Sequence, residues 1–339
     1  MKKKRYNLAI VGVGAVGIEM LKVIKERNFP LNDLRIFARS KRDIEIDGKK
    51  YHVEEISADG FEGIDIALFA GTEGEKGAAV TYAPQAIKRG AIVIDNGADF
   101  RLKPEVPLVV PEVNPQDAKK HKGIIANPNC STIQLVVALW PIYKKAGIKR
   151  VIITTLQAAS GAGRGAVEQL NQEISMIANR DFKDLHIDMQ KIALPQQLAF
   201  NVFPHIGGFA EDDYTSEEWK LVNETHKIMH DAKIKISATT IRVPVRTGHS
   251  ESVYIETEES LNVNECRQIL RKAKGIKLID DPKNNLYPQP VDVEGKDDVF
   301  VGRIRKDPFN KFGLWLWVVA DNLRKGAATN AVQIAELLL

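Results

Sequence analysis

Cys130 stands in Asn127-Pro128-Asn129-Cys130-Ser131-Thr132, directly before a stretch patterned as a helix over 132–146. The N-terminal end of a helix stabilises negative charge, so a thiol there can act as a thiolate nucleophile. Backbone amides of the same turn can cradle an oxyanion. The chain's other thiol, Cys266, falls on an amphipathic helical pattern and reads as a small buried hydrophobe. Covalent chemistry at Cys130 needs a proton carrier, and seven histidines compete for that role. His226 and His230 are an i, i+4 pair with no third ligand at sensible spacing, so they read as a solvated helix face and not as a metal site. His249, in Thr247-Gly248-His249-Ser250-Glu251, reads as a polar turn between strands, with Arg242 shortly upstream. Functional loops occur in such places.

A second chemical signature lies near the start. Gly12-Val13-Gly14-Ala15-Val16-Gly17 separates a strand pattern (7–13) from a helix pattern (15–27). Glycines in that context let the backbone turn tightly and approach a pyrophosphate seated on the helix N-terminus. Sites that prefer NAD place an acid at the end of the next strand, where it holds the ribose 2′-hydroxyl. Here the strand over 34–38 runs into Arg39-Ser40-Lys41-Arg42, three cations and no acid, which suits a 2′-phosphate and predicts NADP. A dinucleotide site upstream of a helix-start thiol predicts thioester chemistry coupled to hydride transfer.

These groups need a scaffold. Strand patterns at 7–13, 34–38, 64–70, 91–95 and 123–126 alternate with helical ones, which predicts a parallel sheet with right-handed crossovers. The second half is richer in strands, at 150–159, 235–245, 250–257, 299–306 and 313–320, with helices at 165–179, 216–230 and 263–274. A last helix is expected over 322–339. The predicted fold class is α/β: a Rossmann-type nucleotide domain with a mostly parallel sheet plus an α+β catalytic and dimerisation domain. The domains are expected at 1–128 with 322–339 and at 129–321.

Composition narrows the function classes. With 48 Lys and Arg against 44 Asp and Glu, the net charge of +4 is too mild to predict a nucleic-acid partner. Two cysteines cannot build a disulfide framework, and no apolar run approaches the length of a membrane span, so a cytoplasmic protein with neither membrane nor nucleic-acid partners is expected. The basic residues 1–5 run into Leu8-Ala9-Ile10-Val11 and then glycines, with no small-residue cleavage site, which argues against export.

Beyond these local readings, the chain resembles the bacterial aspartate-semialdehyde dehydrogenase family nearly end to end. The resemblance rests on the Cys130 motif, on Gln157-Ala158-Ala159-Ser160-Gly161-Ala162-Gly163, on Ala199-Phe200-Asn201-Val202-Phe203-Pro204-His205 and on Arg242-Val243-Pro244-Val245. His249-Ser250-Glu251 and Asp321-Asn322-Leu323-Arg324-Lys325-Gly326-Ala327-Ala328 complete it. It implies reversible, NADPH-dependent reductive dephosphorylation of L-aspartyl 4-phosphate to L-aspartate 4-semialdehyde, on the way to lysine, diaminopimelate, threonine and methionine. It also implies a homodimer, with a tetramer as the larger alternative, and no metal.

By the same resemblance Cys130 is the nucleophile, His249 the acid/base and Gln157 a positioning group. Arg101, Asn129, Glu217, Lys220 and Arg242 would contact substrate: Arg101 and Lys220 its phosphate, Arg242 its α-carboxylate, Glu217 its amino group. Gly12, Gly14, Ala15, Val16, Gly17, Arg39, Ser40, Gly71, Asn96, Ser160, Gly161 and Asn322 would contact cofactor. Two loops depart from the family pattern: the glycine loop lacks a threonine, and Gly71 is followed by Thr72-Glu73-Gly74-Glu75. The nearest rival is N-acetyl-γ-glutamyl-phosphate reductase, whose substrate has a blocked amine that Glu217 would not suit. The rival from another class is a non-catalytic nucleotide-binding paralogue.

Overall fold

The computed structural model describes residues 5–71, 77–187 and 193–339, so Glu73 and Glu75 lie outside the described residues. The chain divides into two compact units: the described residues up to Asn129 with Gly326–Leu339, and Cys130–Lys325.

In the first unit, strand β1 (Tyr6–Val11) leads through Gly12–Gly14 into helix α1 (Ala15–Glu26), then β2 (Leu31–Ala38). A hairpin follows, β3 (Arg42–Ile46) and β4 (Lys49–Glu55), then β5 (Ile66–Phe69), α2 (Ala78–Lys88), β6 (Ile92–Asp95) and β7 (Ile124–Ala126). The seven strands order as β3-β4-β2-β1-β5-β6-β7 and pair in parallel except within the hairpin. The crossovers through α1 and α2 run outward from the β1/β5 boundary in opposite directions, which makes that boundary the switch point where such sheets bind ligands. All four residues of β5 are buried, as a central parallel strand requires. Leu8, Ile10, Ile66, Leu68 and Ile94 form the core with Met20 and Ile24 of α1 and with Ala331, Val332 and Ile334 of the C-terminal helix Thr329–Glu336.

The hairpin was not expected from the sequence. Its turn, Asp47-Gly48, has φ of 50° and 74°. That pair of positive values suits the tight turns favoured between twisted antiparallel strands. The predicted final helix over 322–339 begins later than expected: Arg324–Ala328 winds as a π-helix before the regular helix takes over.

The second unit opens with α3 (Cys130–Ala146), which begins at the cysteine itself. It continues through β8 (Arg150–Gln157), α4 (Arg164–Ala178), α5 (Ser216–Met229), β9 (Lys235–Arg242), β10 (His249–Glu256), α6 (Val263–Lys272), β11 (Ile276–Leu278), β12 (Val299–Lys306) and β13 (Gly313–Ala320). Its sheet orders as β11-β12-β13-β10-β8-β9, parallel at β11/β12 and β8/β9 and antiparallel between. Helix α5 starts in a capping box, with Thr215 and Glu218 exchanging side-chain and backbone hydrogen bonds. Among the described residues no helix is long and apolar enough to cross a membrane.

Candidate active site

Strand topology gathers the polar groups of the second unit. Gln157 and Arg242 are register partners at the ends of the parallel strands β8 and β9. On the other flank of β8, antiparallel β10 begins at the same edge, with His249 opposite Ala320, the last residue of β13. Four strand ends therefore meet there, and Asn322 follows two residues after β13. His249 is not in a polar turn, as its sequence surroundings suggested: it is the first residue of β10 and fully buried. The hydrophilic neighbours that implied a loop belong instead to a buried polar cluster.

Each side chain is held by identifiable partners. His249 Nδ1 accepts from the backbone amide of Ala158 at 3.0 Å, which fixes the neutral tautomer with its proton on Nε2. Burial and the neighbouring Arg242 cation hold this imidazole well below its ordinary 6.5, so it is neutral. Arg242 Nη1 donates to the Ala158 carbonyl at 2.6 Å, so one residue braces both groups. Arg242 is also close enough to Glu217 and Cys130 for their charges to act on it. Gln157 Nε2 donates to Glu217 Oε1 at 3.3 Å, and Lys220 Nζ donates to Glu217 Oε2, also at 3.3 Å. Asn322 Oδ1 accepts from the Gly248 amide at 2.9 Å, and its Nδ2 donates to Ser160 Oγ at 2.9 Å. At Gly161 a Cβ would lie 3.0 Å from the ring of His249 and 3.2 Å from Arg242 Nη1. A methyl group there would require these side chains to give way by a few tenths of an ångström.

The second unit thus assembles Gln157, Ser160, Gly161, Glu217, Lys220, Arg242, His249 and Asn322, with Cys130 half-buried at the start of α3. The bracing by Ala158 was not visible in the sequence, because it works through backbone atoms. Cys266 is fully buried and its thiol is pushed up to about 12, mainly by burial. His226 hydrogen-bonds to the Ile234 carbonyl at 2.7 Å and His230 ends α5. Among the described residues no cluster of His, Cys, Asp or Glu is placed to hold a metal ion.

The remaining predicted site residues lie in the first unit. At Gly12, φ is 102° and a Cβ would press on the Ala70 carbonyl at 2.9 Å; at Gly17 a Cβ would strike the Gly12 carbonyl. Gly14, by contrast, faces open space and starts α1 with no side-chain cap and no acid in the first turn. The amides at Gly14, Ala15, Val16 and Gly17 therefore present the uncapped helix end that a pyrophosphate fits. Gly71 follows β5 beside this turn, and Arg39 and Ser40 are exposed just beyond β2. Arg42 is not in the loop but opens β3, where its guanidinium donates to Ser40. Asn96 accepts from Asn127 Nδ2 at 2.8 Å, and Arg101 donates to the carbonyls of Asn127 and Asn96 at 3.0 and 2.7 Å. Asn129, buried, closes this unit.

The class to which such a chain belongs is marked by two family models: residues 7–121 match the semialdehyde dehydrogenase NAD-binding domain, and residues 139–325 match the semialdehyde dehydrogenase dimerisation domain. The chain is 54% identical to aspartate-semialdehyde dehydrogenase of Aquifex aeolicus and 48% identical to that of Bacillus subtilis, each match covering 98% of this chain and 98% and 97% of the relatives. It also matches the crystal structure of aspartate semialdehyde dehydrogenase II from Vibrio cholerae complexed with ASA, with a TM-score of 0.92 at 42% identity, covering 99% of this chain and 98% of that one. The chain belongs to the aspartate-semialdehyde dehydrogenase family. The two-domain α/β architecture expected from the sequence agrees with these matches.

Proposed function

We propose that this enzyme reduces L-aspartyl 4-phosphate to L-aspartate 4-semialdehyde through a thioester on Cys130, reversibly and in amino-acid biosynthesis. The observation that carries the site assignment is the Arg242 cluster, where a buried guanidinium is within charge range of both Glu217 and Cys130. A carboxylate, a cation and a thiol so placed suit a substrate bearing an α-amino group, an α-carboxylate and a reactive acyl carbon. Glu217 would face the amino group, a contact that a blocked amine could not make, which favours the aspartyl over the acetylglutamyl substrate.

In this reading Cys130 Sγ attacks the acyl carbon, the C–O bond to phosphate breaks, and Arg101 and Lys220 stabilise the departing phosphate. The nicotinamide, when bound, supplies the hydride that reduces the thioester carbon. In place of the proton transfer that the resemblance implied, the Nε2–H of His249 then stabilises the resulting oxyanion and keeps its proton when the C–S bond breaks, releasing aldehyde and regenerating the thiolate. Gln157 holds Glu217 in place. The residues of the glycine loop with Gly71 and Asn96 would hold the dinucleotide, and Ser160, Gly161 and Asn322 would border its nicotinamide. Arg39 and Ser40 would take a 2′-phosphate, making NADP the preferred form.

The two compact units would then serve as a nucleotide-binding domain and a catalytic and dimerisation domain, in a homodimer or a tetramer of this chain located in the cytoplasm. On one face of the second sheet, the exposed Ile152 and the half-buried Trp315 and Trp317 surround the buried Tyr254 and alternate with residues directed at the helices, which suits burial against a second copy. The decisive experiment is phosphate-dependent reduction of NADP, and separately of NAD, with aspartate semialdehyde. Activity with NADP alone supports both the reaction and the cofactor reading. Equal use of both discards the cofactor preference, and activity only with the acetylglutamyl aldehyde discards the substrate.

A further inference from the structure

Two buried polar residues have no part in that mechanism. Glu251 is fully buried on β10, two residues beyond His249, so both side chains leave the same face of the strand. Gln134 is fully buried on α3, one helical turn beyond Cys130 and on the same side of the helix. Its Nε2 donates to the backbone carbonyl of His249 at 3.4 Å. The same amide group interacts with the Glu251 carboxyl and favours its charged form, but burial outweighs this and holds the carboxyl well above its ordinary 4.5. Neither Glu251 oxygen meets a partner at full hydrogen-bond distance and angle. A carboxyl buried without a full hydrogen-bond partner resists taking its charged form. Leaving such groups in a core is costly where an apolar pair could pack, so their presence calls for a reason.

We propose that Gln134 and Glu251 are positioning residues, which clip the start of the strand bearing His249 to the first turn of the helix bearing Cys130 and so set the imidazole against the sulfur. The proposal rests on the assignment of Cys130 and His249 above. The clip is short, because Gln134 reaches the His249 main chain directly and Glu251 orients the Gln134 amide from the same strand face. A displacement of about 1 Å between reacting groups can lower a rate by about 100-fold, so a weak contact at this place has kinetic leverage.

The test uses the full chain with Glu251→Gln, Glu251→Ala, Gln134→Leu and the double variant Gln134→Leu/Glu251→Ala. For each, kcat and KM are measured with aspartate semialdehyde and phosphate, alongside the pH profile of Cys130 alkylation by iodoacetamide, all below the melting temperature. Glu251→Gln, which stays neutral and keeps an amide-compatible shape, is expected to retain kcat. Glu251→Ala and Gln134→Leu should each lower kcat by about tenfold or more at unchanged KM and shift the alkylation profile. The double variant should be no slower than Gln134→Leu alone, because Glu251 acts only through Gln134. Lowered melting temperature with kcat and alkylation profile intact overturns the proposal, as does a Glu251→Gln variant as slow as Glu251→Ala. Should Glu251→Ala not fold, Gln134→Leu carries the same test from the helix side. Failure of the underlying assignment shows separately, as turnover surviving in Cys130→Ala.

Discussion

Ala158 and His249 are joined by a backbone amide that donates to the imidazole Nδ1, so a main-chain atom, and not a carboxylate, sets the tautomer of the ring. With Nδ1 so occupied, the ring offers a donor at Nε2, and a second proton on Nδ1 would face another N–H. The arrangement favours a neutral ring over one that cycles through imidazolium.

This carries a pH consequence with a definite sign. The His249 ring titrates well below its ordinary 6.5 in the folded chain, so below that pH the unfolded state takes up the extra proton. Stability contributed by this group is complete above about 6.5 and falls as pH drops, by at most about 1.4 kcal/mol per pH unit. Thermal unfolding of the parent and of His249→Asn across pH 4.5–8 should show the parent losing its advantage on the acid side.

Position 161 leaves little room beyond glycine, with a Cβ coming within 3.0 Å of the His249 ring and 3.2 Å of Arg242 Nη1. Gly161→Ala should push the His249 ring or the Arg242 guanidinium out of place and lower kcat by about tenfold or more, while overpacking costs about 1–3 kcal/mol of stability. Steady-state kinetics beside a melting curve separates the two effects.

Arg242→Lys exchanges a planar fork for a point charge and also disturbs the brace on Ala158. An increase in KM for the semialdehyde of about 10- to 100-fold is expected, from the loss of charge-assisted hydrogen bonds. An unchanged KM would move the carboxylate subsite elsewhere.

Arg39→Ala should weaken NADPH by about tenfold and leave NADH nearly untouched. Direct titration of both nucleotides by fluorescence checks this, and equal losses would remove the 2′-phosphate role.

Cys130→Ala should bring turnover to background while cofactor titration stays as in the parent. Substantial remaining activity would sink the thioester route.

Much of the framework was readable from pattern alone. The run at 64–70 announces a central strand because it is apolar almost throughout. The stretches at 150–159 and 313–320 do so by their Ile, Val and Thr and their Leu, Trp and Val, in strands that leave alternate residues at least partly exposed over part of their length. The β3–β4 hairpin escaped because Arg42, Asp43, Glu45, Lys49 and Lys50 mask its alternation, although Asp47-Gly48 carried a turn signal. Strand β11 has only three residues, too short for periodicity to register. At the site, single residues such as Cys130 stood out by type and context. The contacts that orient them did not, because Ala158 acts through its main chain, and because only the packing of α3 on the sheet shows that Gln134 and Glu251 meet.

The burial of Cys266 has a practical use. Its thiol, pushed up to about 12, stays protonated and enclosed at neutral pH, leaving Cys130 as the only other cysteine of the chain. A mild alkylating reagent should therefore add one mass increment per chain. Intact-protein mass spectra then separate folded chains, which take one increment, from unfolded ones, which expose both thiols and take two, without a reporter, a mutant or a substrate.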